Sequence, residues 1–278
     1  MDASDLSGMP YSDIFHQANQ QLRFSWLRPV DAAYYDALDK TEWHDEATLS
    51  FTEWQDAVRR LGYDPARIKW NSRSTGLRLY FYQGEYATVE LHFISPSWLD
   101  NSMSLNALKA DDLARELFVE KKNYAIYFFA EFNLFALDYF EKYVEQIPES
   151  ERYEAFKDMY VMCEYGFDHI DPALLDAMFA LSDNTDAIAE LIADGYGEML
   201  TIYRGAGKVS TPLETAFSWT TSLDVARRFA HTFARGTVYM AHVPRARIID
   251  YIQDRNESEI WVRYSDLENI TVLESDSD

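Results

Sequence analysis

Three short motifs in the last third of the chain contain residue types that could do chemistry together. An arginine ends an apolar run at Tyr203-Arg204-Gly205, and hydroxyl residues from Ser218 to Ser222 lead into a helical pattern. The third motif, Glu257-Ser258-Glu259, comes directly before another apolar run. A guanidinium is a planar, permanently charged donor fork that suits phosphate groups. A fixed carboxylate can stabilise developing positive charge or act as a base.

Each motif is common on its own, and the order of the three carries the signal. This segment resembles the arginine–serine–glutamate class of the ADP-ribosyltransferase superfamily, which includes bacterial toxins and several phage enzymes. Arg204 matches the arginine of that class, and Glu257 and Glu259 match its Glu-x-Glu motif. Ser218-Trp219-Thr220 stands where Ser-Thr-Ser is usual. A second register is possible, so the leading hydroxyl stays open among Ser218, Thr220, Thr221 and Ser222.

The resemblance implies a mono-ADP-ribosyltransferase that takes NAD as co-substrate, releases nicotinamide and requires no metal. Cleavage of the nicotinamide–ribose bond leaves positive charge on the ribose, as in glycoside hydrolysis. Glu259 would stabilise that charge, and Ser218 would hydrogen-bond the Glu259 carboxylate and hold it in place. Residues i and i+2 of an extended chain point to one side, so Glu257 would face the same cleft and serve as base for the acceptor.

The same resemblance assigns residues to NAD binding. Arg204 would hold the pyrophosphate, and Gly205 would let the backbone approach the ligand. Trp219 would either stack on a ring or fill the core. The full set of expected NAD-binding residues is Arg204, Tyr203, Gly205, Ser218, Trp219 and Thr220.

The acceptor is open to three interpretations. Glutamate at the first position of Glu-x-Glu goes with arginine acceptors in the family, and a protonated guanidinium needs a base, so a protein arginine is the leading expectation. RNA is an alternative acceptor, as for a toxin of a toxin–antitoxin or phage-defence system, because a groove around Arg227, Arg228 and Arg255 could present a strand. The third interpretation is a catalytically inactive binding module.

Composition and charge limit the class of protein. The 278 residues include 25 Lys and Arg against 47 Asp and Glu, a net charge of −22. This balance disfavours nucleic-acid binding driven by the phosphate backbone.

The acidic residues 1–200 could dock a basic target, an antitoxin or a chaperone, or keep the chain soluble. One cysteine excludes an internal disulfide. The lack of a long apolar run and of a basic leader predicts a cytoplasmic protein with no membrane contact.

Hydrophobic periodicity predicts an α+β protein whose texture changes along the chain. We expect a mainly helical N-terminal region, residues 1–170, with a β-hairpin near 77–94. By the resemblance, residues 171–278 form an ADP-ribosyltransferase domain of two facing antiparallel sheets. Gly62 and Gly195 should end helices, and Thr221 with Asp224 should form a capping box. Helices are predicted over 31–38, 49–61, 105–146, 149–164, 173–181, 186–194 and 221–231, and strands over 77–82, 86–94, 199–203, 236–243, 247–252, 259–263 and 269–273.

Overall fold

The computed structural model divides the chain into two compact units. One comprises Met1–Ile147 with Glu154–Cys163, and the other comprises Pro148–Tyr153 with Glu164–Asp278. The residues that the structure describes are 27–33, 51–71, 80–90, 109–130, 135–163, 167, 170–207, 210–231, 236–253 and 256–275.

The first unit contains a four-stranded antiparallel sheet and several helices. Its strands are β1 (Leu27–Pro29), β2 (Ile68–Asn71), β3 (Tyr80–Gln83) and β4 (Thr88–Glu90), and its helices are α1 (Phe51–Arg60), α2 (Ala110–Arg115), a π-helical turn (Glu116–Glu120), α3 (Tyr124–Ala130), α4 (Ala136–Tyr143) and most of α5 (Glu149–Met162). The sheet order β1-β2-β3-β4 follows the chain. Each strand pairs in the antiparallel direction with the next strand of the chain.

The predicted hairpin is confirmed in its described part, and a carboxylate holds its turn. Phe81 pairs with Glu90, and Gln83 pairs with Thr88. The Asp111 carboxylate accepts the backbone N–H groups of residues 85, 86 and 87 at 3.0, 2.6 and 3.0 Å. Residues 77–79 and 91–94 of the predicted hairpin lie outside the described residues. The hydroxyls that donate to carbonyls of this turn belong to Tyr127, Tyr139 and Tyr143.

The second unit contains a six-stranded antiparallel sheet. Its helices are α6 (Pro172–Ala180), α7 (Thr185–Ala193) and α8 (Leu223–His231), and its strands are β5 (Met199–Ala206), β6 (Ser218–Thr220), β7 (Thr237–Pro244), β8 (Asp250–Ile252), β9 (Glu259–Trp261) and β10 (Glu268–Ser275). The order is β10-β7-β5-β6-β9-β8. The halves β10-β7-β5 and β6-β9-β8 meet through one register pair, Tyr203 with Thr220. That pair places all six strands in one hydrogen-bonded order, and the finer expectation of two facing sheets stays a prediction.

Most predicted elements lie within a few residues of their predicted bounds. Gly62 and Gly195 both have φ 87° and follow helices α1 and α7, as the left-handed C-terminal position requires. The helix expected over 105–146 is wrong as one element, since Lys122 has φ 50° and interrupts it before α3. The predicted capping box of Thr221 with Asp224 is wrong: the Ser222 hydroxyl caps the helix instead and accepts the α8 backbone N–H of Val225 at 3.4 Å.

The sheet of the second unit is covered differently on its two faces. One face carries the main core, with Ile202, Trp219 and Ile260 packed against residues of α7. On the other face, Ala226 and Ala230 of α8 pack with Val238 and with neighbouring apolar side chains. This alternation follows from the period of two along each strand. None of the helices in the described part of the chain has the length and hydrophobicity that a bilayer crossing requires.

Candidate functional site

A buried carboxylate lies where β6 and β9 run side by side. The strands pair with Thr220 opposite Glu259 and Ser218 opposite Trp261, so Ser218 and Glu259 are diagonal neighbours. The Ser218 hydroxyl donates to Glu259 Oε1 at 2.5 Å. The Trp261 indole Nε1–H donates to the same oxygen at 3.1 Å. Glu259 is only 3% exposed, so these hydrogen bonds fix a carboxylate that is held away from bulk water.

An aromatic cluster fixes the tryptophan that donates to this carboxylate. The centroid of the Trp261 ring lies 5.5 Å from that of Phe217, 6.0 Å from that of Phe179 and 6.4 Å from that of Tyr153. Trp261 is fully buried, and the packing sets the direction of its N–H group. The sequence analysis gave Trp261 no role. Its i+2 spacing from Glu259 on a strand was the signal that could have found it.

Arg204 lies where β5 and β6 stop pairing. Beyond the pair Tyr203–Thr220, the Arg204 guanidinium donates through Nη1 to the Ser218 carbonyl at 2.7 Å. Its Nη2 donates to the Thr211 carbonyl at 3.3 Å. The side chain thus continues the contact between the strands after the backbone ladder ends. The structure therefore connects Arg204 to Ser218 and Ser218 to Glu259, three residues that the sequence analysis expects to act together.

Glu257 is oriented by a turn rather than by strand alternation. Strand β9 begins at Glu259, and Ser258 has φ 46°, in the left-handed region. Strand alternation therefore does not set the direction of Glu257, because it requires an extended backbone through Ser258, and the expectation that Glu257 and Glu259 share one cleft stays a prediction. The Glu257 carboxylate instead pairs with Arg228 on α8, with 3.2 Å between Oε1 and Nη2. The sequence analysis placed Arg228 only in a groove that could present an RNA strand.

The threonines that follow Trp219 hold this turn in place. The Thr220 hydroxyl donates to the Glu257 carbonyl at 2.5 Å. The Thr221 backbone N–H donates to the Ser258 carbonyl at 3.0 Å. A non-glycine residue at positive φ costs about 1–3 kcal/mol, so the surrounding contacts must over-determine its conformation. These contacts keep Glu257 in one position on β9's N-terminal side.

A buried phenol supports the same turn from β8. Tyr251 makes a side-chain hydrogen bond with Ser258. Its own hydroxyl donates to the Asp194 carboxylate at 3.0 Å. Burial, followed by the hydrogen bond to Asp194, raises the pKa of Tyr251 above its usual range. No motif in the sequence pointed to Tyr251, because Asp194, which follows α7 and accepts its hydrogen bond, lies 57 residues away in the chain.

The structure distinguishes the hydroxyls that the sequence left open. Ser218 bonds to Glu259, as expected for the leading serine. Thr220 bonds to the turn, and the Thr221 hydroxyl accepts from Tyr196 at 2.8 Å. Ser222 caps α8. Among these four residues, the hydrogen bond to Glu259 therefore favours Ser218 as the hydroxyl that positions the carboxylate.

Two expected NAD-binding residues have evident structural roles. Trp219 is 2% exposed and belongs to the main core, which favours core packing over stacking on a ligand ring, the two roles that the sequence left open. A Cβ at Gly205 would collide with the Ala226 carbonyl of α8. Gly205 therefore allows the helix to approach β5, and its expected role at a ligand stays a prediction. Tyr203 packs on the same helix, against the cluster that contains Ala226.

The remaining arginines of the expected groove differ in their surroundings. Arg227 pairs with Glu274 and with Asp224, and its hydrogen bonds lower the pKa of Glu274. The positive charge of Arg227 is thus neutralised mainly by Glu274 on β10. Of the two arginines on α8, it is Arg228 that forms an ion pair with Glu257 in the described part of the chain. Arg255 lies outside the described residues.

Comparison with known protein families, with characterised proteins and with solved structures finds no match to this chain. Among the residues that the structure describes, no group of three or more His, Cys, Asp or Glu side chains could hold a metal ion. The candidate site is therefore defined by the geometry of its residues. It combines a fixed buried carboxylate, an oriented guanidinium and a second carboxylate in a clamped turn.

Proposed function

We propose that the second unit is an NAD-dependent mono-ADP-ribosyltransferase that transfers ADP-ribose to a protein arginine, acting as a bacterial or phage toxin or effector. The observation that carries this proposal is the buried Glu259 carboxylate held at 2.5 Å by the Ser218 hydroxyl. Loss of nicotinamide leaves a ribose with oxocarbenium character. A carboxylate that is already fixed and desolvated stabilises such a charge without reorganising.

Arg204 is the candidate for the NAD pyrophosphate. Its guanidinium is held in direction by the carbonyls of Ser218 and Thr211. Arginine recognises phosphate through a planar fork of donors, so a fixed orientation favours one pose of the ligand. The contact with Ser218 links that pose to Glu259. This linkage would bring the ribose carbon near the carboxylate that stabilises its charge.

Glu257 is the candidate base for the acceptor. Its carboxylate already pairs with a guanidinium, that of Arg228, at 3.2 Å. This contact supports an arginine acceptor over other nucleophiles, because the same carboxylate would orient an incoming guanidinium and accept its proton. Transfer then forms a bond between a guanidinium nitrogen and the ribose carbon, and nicotinamide leaves with the electrons of the broken bond.

The test uses isotopically labelled NAD in a bacterial lysate with the wild type and Glu259→Gln. Glutamine retains an oxygen that can accept from Ser218 and Trp261, so the fold should persist. Loss of one preorganised charge should lower nicotinamide release about 10²–10³-fold. Glu268→Gln is the matched control, because Glu268 is an exposed glutamate on strand β10. The variant Glu268→Gln should keep wild-type turnover.

Separate protease and ribonuclease treatments then identify the acceptor. Label removed by protease supports protein transfer, and mass spectrometry would locate the modified arginine. Label that survives protease and is removed by ribonuclease would replace the arginine acceptor with RNA. If the wild type releases no nicotinamide, or if Glu259→Gln releases as much as the wild type, the transferase proposal is refuted and a binding module takes its place.

A further inference from the structure

An acid and an aromatic ring flank one guanidinium on the surface of the second unit. Arg228 Nη2 lies 3.2 Å from Glu257 Oε1. The Arg228 Cζ atom lies 5.5 Å from the centroid of the Phe229 ring, within the range of a cation–π contact. A carboxylate on one side and a ring face on another is an arrangement that recognises guanidinium groups.

The two partners of this ion pair differ in how firmly they are held. The Glu257 side chain is 17% exposed, whereas that of Arg228 is 58% exposed. The backbone of Glu257 is clamped by Thr220 and by the contacts at Ser258. The acid is therefore a preorganised acceptor, and the cation is an exposed side chain that can leave at small cost.

The neighbouring aromatic ring is accessible as well. Phe229 is 47% exposed, although it is a large apolar side chain, and it lies outside the buried side of α8, which consists of Ala226 and Ala230. It lies on α8 one residue after Arg228, in the C-terminal part of the helix, where the helix dipole favours cations. Because this ring contacts the guanidinium that now pairs with Glu257, it is available to a guanidinium that replaces Arg228 there.

We infer that Glu257 and Phe229 form a guanidinium-binding subsite, which Arg228 fills in the free protein and an acceptor arginine takes by displacing it. This inference rests on the proposed function for its biological role, since it names how the acceptor reaches Glu257. Its physical content is a competition between an internal and an external guanidinium. Arg228 thereby lowers the apparent affinity of the subsite for every ligand, and only a ligand with a planar, charged fork competes with it for Glu257.

The size of the effect follows from the nature of the ion pair. A pair with one exposed partner contributes up to about 1 kcal/mol, which corresponds to about a fivefold change in affinity. Removing Arg228 should therefore strengthen the binding of a free arginine ligand by about two- to fivefold. Removing Glu257 at the same time should abolish this gain, because the subsite would lose its charge.

The experiment measures binding rather than turnover. The affinity of acetyl-arginine amide is titrated by ligand-observed NMR for the wild type, Arg228→Gln and the double variant Arg228→Gln/Glu257→Gln. Acetyl-lysine amide serves as the ligand control. Arg227→Gln is the matched protein control, because Arg227 is the adjacent arginine on α8 and pairs with Glu274.

Tighter binding of the arginine ligand by Arg228→Gln alone, lost in the double variant, supports the subsite. Unchanged or weaker binding by Arg228→Gln overturns it, as does an equal gain in Arg227→Gln or an equal gain for the lysine ligand. These outcomes need no NAD. A wild type that releases no nicotinamide would refute the proposed function, while the titration would still decide whether the subsite exists.

Discussion

Replacing Ser218 with alanine should destabilise the second unit and loosen the Glu259 carboxylate. The substitution removes the hydroxyl that donates to Glu259 Oε1 at 2.5 Å, and it leaves the backbone carbonyl that binds Arg204. The carboxylate is 3% exposed, so water does not readily replace the lost donor. The effect therefore reports on one hydrogen bond in a nearly dry site.

The magnitude can be worked from this environment. A hydrogen bond to a charged group contributes about 1.5–3 kcal/mol to stability. Trp261 continues to donate to the same oxygen at 3.1 Å, so we expect the lower half of that range, about 1.5–2 kcal/mol. For a unit of this size about 1 kcal/mol shifts the Tm by about 4 °C. Ser218→Ala should therefore lower the Tm by about 6–8 °C.

Differential scanning calorimetry measures this shift, with Ser210→Ala as the matched control. Ser210 is an exposed serine whose hydroxyl accepts a backbone N–H at 2.9 Å. The control should lower the Tm by less than about 2 °C, as expected for a surface change. If Ser218→Ala shifts the Tm no more than Ser210→Ala does, the buried hydrogen bond contributes little and the reasoning is wrong.

Two further predictions test the supports of the site. Gly205→Ala should destabilise the second unit by at least about 1–3 kcal/mol, because the added Cβ would collide with α8. Gly207→Ala is the control and should be tolerated, since the nearest neighbour of its Cβ would be a carbonyl oxygen at 3.9 Å. Chemical denaturation of both variants measures the difference. A result in which both glycine variants unfold alike would contradict this packing argument. The raised pKa of Tyr251 means that its contribution to stability is complete below pH 10.0 and is lost as the pH rises beyond it. Thermal unfolding between about pH 9 and pH 11 should therefore show a steeper fall for the wild type than for Tyr251→Phe, and equal slopes would contradict the assignment.

Much of the fold was predictable because it follows from local patterns. Helix α7 was expected within one residue at each end, the strand after it was expected from its first residue but three residues too short, and Gly195 follows the helix with φ 87°. A glycine at positive φ after an amphipathic run is a local signal. The long predicted helix over 105–146 was wrong where Lys122 takes a positive φ. That conformation is rare for lysine, and it depends on packing that no short stretch of sequence specifies.

The candidate site was predictable in part. The proximity of Ser218 and Glu259 was expected, and the two lie diagonally on paired strands. Trp219 was assigned to both a ligand and the core, and its burial assigns it to the core. Gly205 was assigned to a ligand, whereas the helix that packs on it accounts for the missing side chain. In both cases the residue type was informative, and its neighbour across the fold set its role.

The amino-acid types already contain the arginine, the hydroxyls and the two glutamates, together with the alternation that brings Ser218 and Glu259 to one side of neighbouring strands. The chemistry available to this unit is therefore a property of the chain, since functional groups and strand period are local. The pairing of Glu257 with Arg228 is not local. It depends on a turn at Ser258 with φ 46° and on a helix 29 residues away in the chain, and contacts of that separation exist only once the strands and α8 have packed together.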